Sequence, residues 1–363
     1  MDEIAEQRGR IDRIDRKIVD LIAERMEAAK AIGSKKRAKG LNIVDSEREK
    51  RIINQAKLLA EKKKLSPSVV SSIFGNLLKE SRRTQSLEGT VVAFQGERGA
   101  YSELVLKKFF PSGKFIPLSK MDFRDVFESL KNKEADFAAV PIENSTEGSV
   151  AQTCDLLIDY DLHIVGEKSI RINHCLMSLP SSTLQNISEV YSHPQAIGQC
   201  RNFLNRKLKN SKIIPFYDTA GAAKMISSSG NPNIAAIASE YAADYYGLNI
   251  LSRDIEDNKN NRTRFLLLSR HQLKNAKAGK TKTSIVFSLK HVPGALFSSL
   301  KIFASSKINM TKIESRPTKD KPWEYLFFID FEGSANERKC ASVISNLKKH
   351  ARFLKILGSY PAE

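Results

Sequence analysis

Cysteine is scarce in this chain of 363 residues: Cys154, Cys175, Cys200 and Cys340 stand far apart, with no CxxC pair and no histidine beside them at zinc spacing. That excludes a disulfide scaffold and a zinc finger, and it predicts reduced, buried thiols in a cytoplasmic protein. No apolar run approaches the roughly 18 residues that span a bilayer, and the acidic start Met1-Asp2-Glu3 has no apolar segment behind it. A soluble, unsecreted chain is expected. Tryptophan is limited to Trp323. Acidic residues are outnumbered, 41 against 59 basic, for a net charge of +18 that is uneven: +7 over residues 1–90, +1 over 91–270 and +10 over 271–363. With 41% hydrophobic and 28% charged residues the composition is globular and excludes a wholly disordered chain. The length predicts two or three domains at about 100–200 residues each.

Residues 3–39 set Ile4, Ile11, Ile14, Ile18, Leu21 and Ile22 at three- and four-residue steps without proline, which predicts one long amphipathic helix. A second helix starts near Asp45 or Ser46, where Ser46-Glu47-Arg48-Glu49 fits a capping box. A third starts at Ser66-Pro67 and runs to about Gln85. From Thr90 the period changes. Short Val/Ile/Phe-rich runs at 91–94, 137–142, 162–165, 213–216, 234–238 and 265–268 alternate with helical stretches, predicting an open, largely parallel α/β sheet that could divide into two lobes. Beyond a Lys/Gly/Thr-rich linker the order becomes strand, helix, strand, strand, helix, strand, which is ferredoxin-like.

In the first helix Arg25 and Lys36 are eleven residues apart, so they share a face at roughly 16 Å and could bracket a small dianion. Arg8 lies roughly 25 Å before Arg25 on the same rod, too far to grip one metabolite with it. It can join that site only from a second chain. Residues 1–89 resemble the all-helical chorismate mutases, on Arg8, Arg25, Lys36, Asp45, Arg48, Glu49, Ser81 and Gln85. The resemblance implies three helices in an intertwined dimer. In it Arg8 from the other subunit, Arg25 and Arg48 hold the carboxylates and ring substituents of chorismate. Lys36 and Gln85 hydrogen-bond its ether oxygen, and Glu49 its ring hydroxyl. A pericyclic rearrangement needs no nucleophile, only a compact conformer and charge stabilisation at the breaking C–O bond, and these residue types supply both.

The segment Phe94-Gln95-Gly96-Glu97-Arg98-Gly99-Ala100-Tyr101-Ser102 follows a strand and opens a helix, a geometry that could aim N–H groups at an anion, or be only a tight turn. At Ala139-Val140-Pro141-Ile142-Glu143-Asn144-Ser145 an apolar strand ends in polar groups, where open sheets collect ligands. Ser192-His193-Pro194-Gln195, Asp218-Thr219 and Thr263-Arg264-Phe265 fall at similar junctions, and His193 suits a helix cap as well as acid–base work. Together these resemble a prephenate dehydratase domain over 90–270, with two lobes like type II periplasmic binding proteins. The resemblance implies loss of carbon dioxide and the ring hydroxyl from prephenate to give phenylpyruvate. It implies a cleft formed by Gly99, Ala100, Tyr101, Ser102, Asn144, Ser145, Ser192, Gln199, Thr219, Arg264 and Phe265, with Thr263 hydrogen-bonding the leaving hydroxyl. Glu143, if desolvation raises its pKa, is a competing general acid.

After a linker at 271–282, residues 283–363 resemble an ACT domain, on Pro293-Gly294-Ala295-Leu296-Phe297 and Glu314-Ser315-Arg316-Pro317. The resemblance implies inhibitory phenylalanine at a dimer interface, with Gly294, Ala295, Leu296 and Phe297 approaching the amino acid and Glu314, Ser315 and Arg316 serving its ammonium or ordering the facing strand. The three resemblances in this order point to the bifunctional chorismate mutase/prephenate dehydratases with feedback control. They imply a homodimer or larger homo-oligomer, and no cofactor, metal, nucleic acid or membrane. Two rivals are an amino-acid sensor or nucleic-acid-binding regulator, suggested by the lobes and the charge, and a dehydratase acting on arogenate instead of prephenate.

Overall fold

A computed structural model describes residues 3–38, 45–85, 90–272, 280–318 and 324–363. Most of the predicted linker, and Trp323, lie outside the described residues. Two compact units are present, Met1–Thr90 and Val91–Glu363. The first consists of α1 (Glu3–Ala38), α2 (Ser46–Lys62) and α3 (Pro67–Gln85). Asp45 caps α2 by accepting the Arg48 N–H at 2.9 Å, so Ser46 is not the cap. Pro67 opens α3, where an N–H would have no partner in any case. Helix α3 packs on both α1 and α2, burying Ala29, Ala56, Ala60 and Leu78. Along α1, Ile4, Ile11, Ile14, Ile18 and Leu21 remain between 47% and 64% exposed.

The second unit begins with a lobe built from β1 (Thr90–Gln95), α4 (Tyr101–Leu104), α5 (Leu106–Phe109), β2 (Phe115–Lys120), α6 (Phe123–Lys131), β3 (Phe137–Asn144), β4 (Gly148–Ser149), α7 (Ala151–Asp159) and β5 (His163–Arg171). The chain crosses into a second lobe of β6 (Cys175–Ser178), β7 (Glu189–Ser192), α8 (Pro194–Gln199), α9 (Arg201–Lys207), β8 (Lys212–Pro215), α10 (Thr219–Ser229), β9 (Ile234–Ala238), α11 (Glu240–Tyr246) and β10 (Asn249–Ser252). It returns through β11 (Arg262–Ser269). The sheets are ordered β2-β1-β3-β11-β5 and β10-β6-β9-β7-β8. Both are mixed rather than largely parallel. β11 enters its sheet from the crossing and therefore runs against β3 and β5, which both end there.

The remainder is β12 (Thr281–Leu289), α12 (Ala295–Ser305), β13 (Met310–Pro317), β14 (Tyr325–Glu332), α13 (Arg338–His350) and β15 (Ala351–Pro361). Its antiparallel sheet, ordered β13-β14-β12-β15, is the ferredoxin-like arrangement. One face packs Ile285, Phe287 and Phe331 under the two helices with Phe303 and Leu347. The other face, Val286, Phe328, Leu357 and Tyr360, joins Ile142, Ile164, Leu266 and Leu268 of the first lobe in a single core. A Cβ at Gly358 would run into the Ile164 carbonyl, so glycine is what lets β15 cross β5 this closely.

Candidate functional site

In the helical unit the Arg25 guanidinium donates to the Leu77 carbonyl at 3.0 Å and to the Ser81 hydroxyl, which is itself buried and donates to Leu77 at 2.7 Å. Burial lowers the Arg25 pKa. Glu49 turns to Arg82, a residue the sequence reading passed over, at 3.4 Å. Helix α3 therefore brings Arg25 of α1 and Glu49 of α2 toward one surface. Lys36 is half-buried and Arg48 exposed. Arg8 is exposed, seventeen residues before Arg25 on the same helix. The Gln85 side chain lies outside the described residues.

At the crossing between lobes, β11 and β3 pair with Thr263 opposite Asn144 and Arg264 opposite Glu143. Successive strand residues face opposite sides. On one side the Asn144 amide donates to the Thr263 hydroxyl at 2.9 Å and to Asn261 Oδ1 at 2.8 Å. Asn261 donates to Gln199 Oε1 at 3.1 Å, and the His174 ring meets that oxygen at 3.0 Å. The Tyr101 hydroxyl closes the series 3.2 Å from His174 Nδ1, donating to the Asn173 carbonyl. Thr263, Asn144, Gln199 and Tyr101 are thus brought together as expected. His174 and Asn261, single polar residues without a local pattern, were missed.

On the opposite side Arg264 binds Glu143 at 2.9 Å, Glu167 at 3.0 Å and Asp330 of β14 at 2.8 Å. This corrects its expected position beside Thr263 in the cleft. Desolvation acts to raise the Glu143 pKa, yet Lys312 and Arg264 together outweigh it and hold the carboxyl below its usual range. The condition on which Glu143 would compete as a general acid, a pKa raised by desolvation, is therefore not met. Phe265 is also corrected: it is 2% exposed and packs with Val92, Phe94 and Leu267 in the core.

Two N–H groups of the loop before α4 are already used within the segment itself. Gly99 donates to Glu103 at 2.6 Å and Ala100 to the Glu97 carbonyl at 3.1 Å, and α4 is a helix of four residues with Ser102 buried. The loop also meets the second lobe: Tyr246 donates to the Arg98 carbonyl at 2.8 Å, and Ser239 to that of Gly99 at 3.1 Å. Ser145 accepts the Arg262 N–H at 2.9 Å, and the fully buried Ser192 donates to Ile237 at 2.6 Å. His193 caps α8, and Asp218 caps α10 ahead of the half-buried Thr219.

In the ferredoxin-like part Gly294 adopts φ +78° and opens α12. An open hollow of about 140 Å³ beside it is lined by residues including Leu289, His291, Ala295, Leu296 and Phe327. Phe297 is 70% exposed and does not line it. Strand alternation along β13 sends Glu314 and Arg316 to the face opposite Ser315. Glu314 accepts from Ser149 and pairs with Lys312 at 3.1 Å, while Arg316 pairs with Asp155 at 3.1 Å.

The family model for prephenate dehydratase matches residues 92–273, and that for chorismate mutase type II matches residues 7–86. The bifunctional chorismate mutase/prephenate dehydratase of Aquifex aeolicus is 39% identical, across 99% of this chain and 98% of its own. Arogenate dehydratase/prephenate dehydratase 2 of Arabidopsis thaliana is 41% identical across 82% and 79%. The crystal structure of Arthrobacter aurescens prephenate dehydratase in complex with L-Phe superposes with a TM-score of 0.70 at 33% identity, covering 75% of this chain and 90% of that one. With both family matches in tandem and a relative aligned end to end, the chain belongs to the bifunctional chorismate mutase/prephenate dehydratase family, an isomerase and a lyase of phenylalanine biosynthesis.

Proposed function

We propose that the chain turns chorismate into phenylpyruvate at two separate sites and is inhibited by phenylalanine at a third. The domains are 1–89, 90–270 and 283–363, joined across 271–282. The mutase site is shared between two subunits of a cytoplasmic dimer. Arg25, Arg48 and the partner subunit's Arg8 hold the substrate's carboxylates and ring substituents, Lys36 and Gln85 take the ether oxygen, and Glu49 takes the ring hydroxyl. The exposed isoleucine stripe on α1 supports this, since monomeric proteins rarely leave so continuous an apolar face in water.

The observation that carries the dehydratase reading is the hydrogen bond from Asn144 into Thr263 Oγ1 at 2.9 Å. An oxygen that accepts from the amide has its own proton free for the departing ring hydroxyl. As the C–O bond breaks, the ring–carboxylate bond releases carbon dioxide and its electron pair aromatises the ring. The departing hydroxide takes the Thr263 proton, which a proton from the solvent replaces, so prephenate and one proton give phenylpyruvate, carbon dioxide and water. Aromatisation supplies most of the driving force, and a donor aimed at developing negative charge lowers the barrier. Prephenate is favoured over arogenate because the same chain makes it. The hollow at Gly294 is the phenylalanine site, where α12 offers backbone N–H groups to a carboxylate. The four buried, free cysteines fit a reducing compartment.

A chorismate time course with purified protein, following prephenate and phenylpyruvate separately, tests this reading. Phenylpyruvate is expected to appear, and to slow when phenylalanine is added. Accumulation of prephenate alone would contradict the dehydratase assignment, and an unchanged rate with phenylalanine the effector assignment.

A further inference from the structure

The orientation of every amide at the lobe crossing can be worked out from the main chain. Asn144 Oδ1 accepts from two backbone N–H groups, Thr146 at 2.9 Å and Glu147 at 3.0 Å. Backbone N–H only donates, so the Asn144 NH2 must face Asn261 and Thr263. Asn261 Oδ1 then accepts, and its own NH2 turns to Gln199 Oε1. The same oxygen lies 3.0 Å from His174 Nε2, which must therefore carry the imidazole proton. Nδ1 is left bare beside the Tyr101 hydroxyl, whose proton goes to the Asn173 carbonyl at 2.5 Å. Burial, which lowers the His174 pKa, favours this neutral form.

Among the described residues, neither the hydroxyl proton of Thr263 nor the NH2 of Gln199 has an acceptor at this crossing. The glutamine's NH2 points away from the chain of amides because its oxygen is held by both His174 and Asn261. His174 is itself fixed on the segment between β5 and β6, its N–H given to Glu256 at 2.9 Å and its carbonyl accepting from Ile255 at 2.9 Å. We propose that His174 is a positioning residue of the dehydratase: its Nε2–H, with Asn261, locks the Gln199 amide so that its NH2 is offered to a substrate oxygen alongside the Thr263 hydroxyl. The inference rests on Thr263 serving as the donor to the leaving group.

In the full chain, His174→Leu is expected to lower dehydratase kcat/KM about tenfold, the worth of one neutral hydrogen bond, and to leave mutase turnover unchanged. His174→Gln sets an amide nitrogen near the place of Nε2 and is expected to recover to within about threefold. His174→Asn reaches only the place of Nδ1 and is not expected to recover. In a Gln199→Met background, His174→Leu is expected to cost nothing further, because the histidine acts only through that glutamine. Equal losses in the Gln and Asn variants, or losses that multiply in the double variant, overturn the role and leave the histidine a packing residue. Should His174→Leu fail to fold, the comparison of Gln with Asn decides. Full dehydratase activity in Thr263→Ala refutes the donor reading. Loss there, with His174→Leu unaffected, refutes the positioning role alone.

Discussion

Thr263 and Arg264 divide two tasks between the faces of one strand. The threonine meets the amides of the lobe crossing, and the arginine is neutralised by three carboxylates on the far side. Glu143 belongs to that far side, and its depressed pKa has a definite sign. A carboxyl held below its unfolded value of about 4.3 contributes stability above that pH and loses the contribution as pH falls through the folded pKa. Glu143→Gln is therefore expected to melt below the parent at pH 7, with the two melting temperatures converging below roughly pH 4. Thermal melts across that range check it, and a constant gap would contradict the pairing. The opposition of Thr263 and Arg264 was legible in the sequence, since neighbours on a strand cannot share a face. The family motif drew both toward one substrate and obscured it.

Elements with a strong period were legible. Helices α1 and α3 follow their 3.6-residue apolar stripe, and β9, five consecutive apolar residues, needs no context. The polar four-residue strands β7 and β10 carry no such pattern, because their hydrogen bonds come from neighbours distant in sequence. The loop joining β1 to α4 was recognised by its glycines, but its contact with the other lobe carries no local pattern. Gly96 has φ +109°, and a Cβ there would meet the Asp218 carboxylate of the other lobe at 2.8 Å. Gly96→Ala is expected to lose about 1–3 kcal/mol, and dehydratase activity with it. Gly113→Ala is the control, because Gly113 also has positive φ but nothing within 4 Å, and it should lose less. Equal melting temperatures for the two variants would show that the contact across the lobes is unimportant.

For the molecule as a whole, the long α1 sets Arg8 roughly 25 Å from Arg25, so the proposal that both serve one mutase site requires two subunits. Arg8→Ala and Lys36→Ala are each expected to abolish most mutase activity. Mixing them under verified subunit exchange should restore part of it, by assembling one intact site per hybrid dimer. No recovery would mean that each chain completes its own site. The dehydratase rates of both variants should match the parent, since Thr263 and its neighbours lie in the other compact unit.

The clasp of Asp330 on Arg264 joins β14 of the ferredoxin-like part to β11, the strand that carries Thr263. Any ligand that favours one setting of these strands over another does work on both sites, and that work is the same in either direction. If phenylalanine weakens prephenate binding by some factor, prephenate must weaken phenylalanine binding by the same factor. A cell rich in substrate would then need more end product to silence the enzyme, so the set point of the pathway would rise with its own supply.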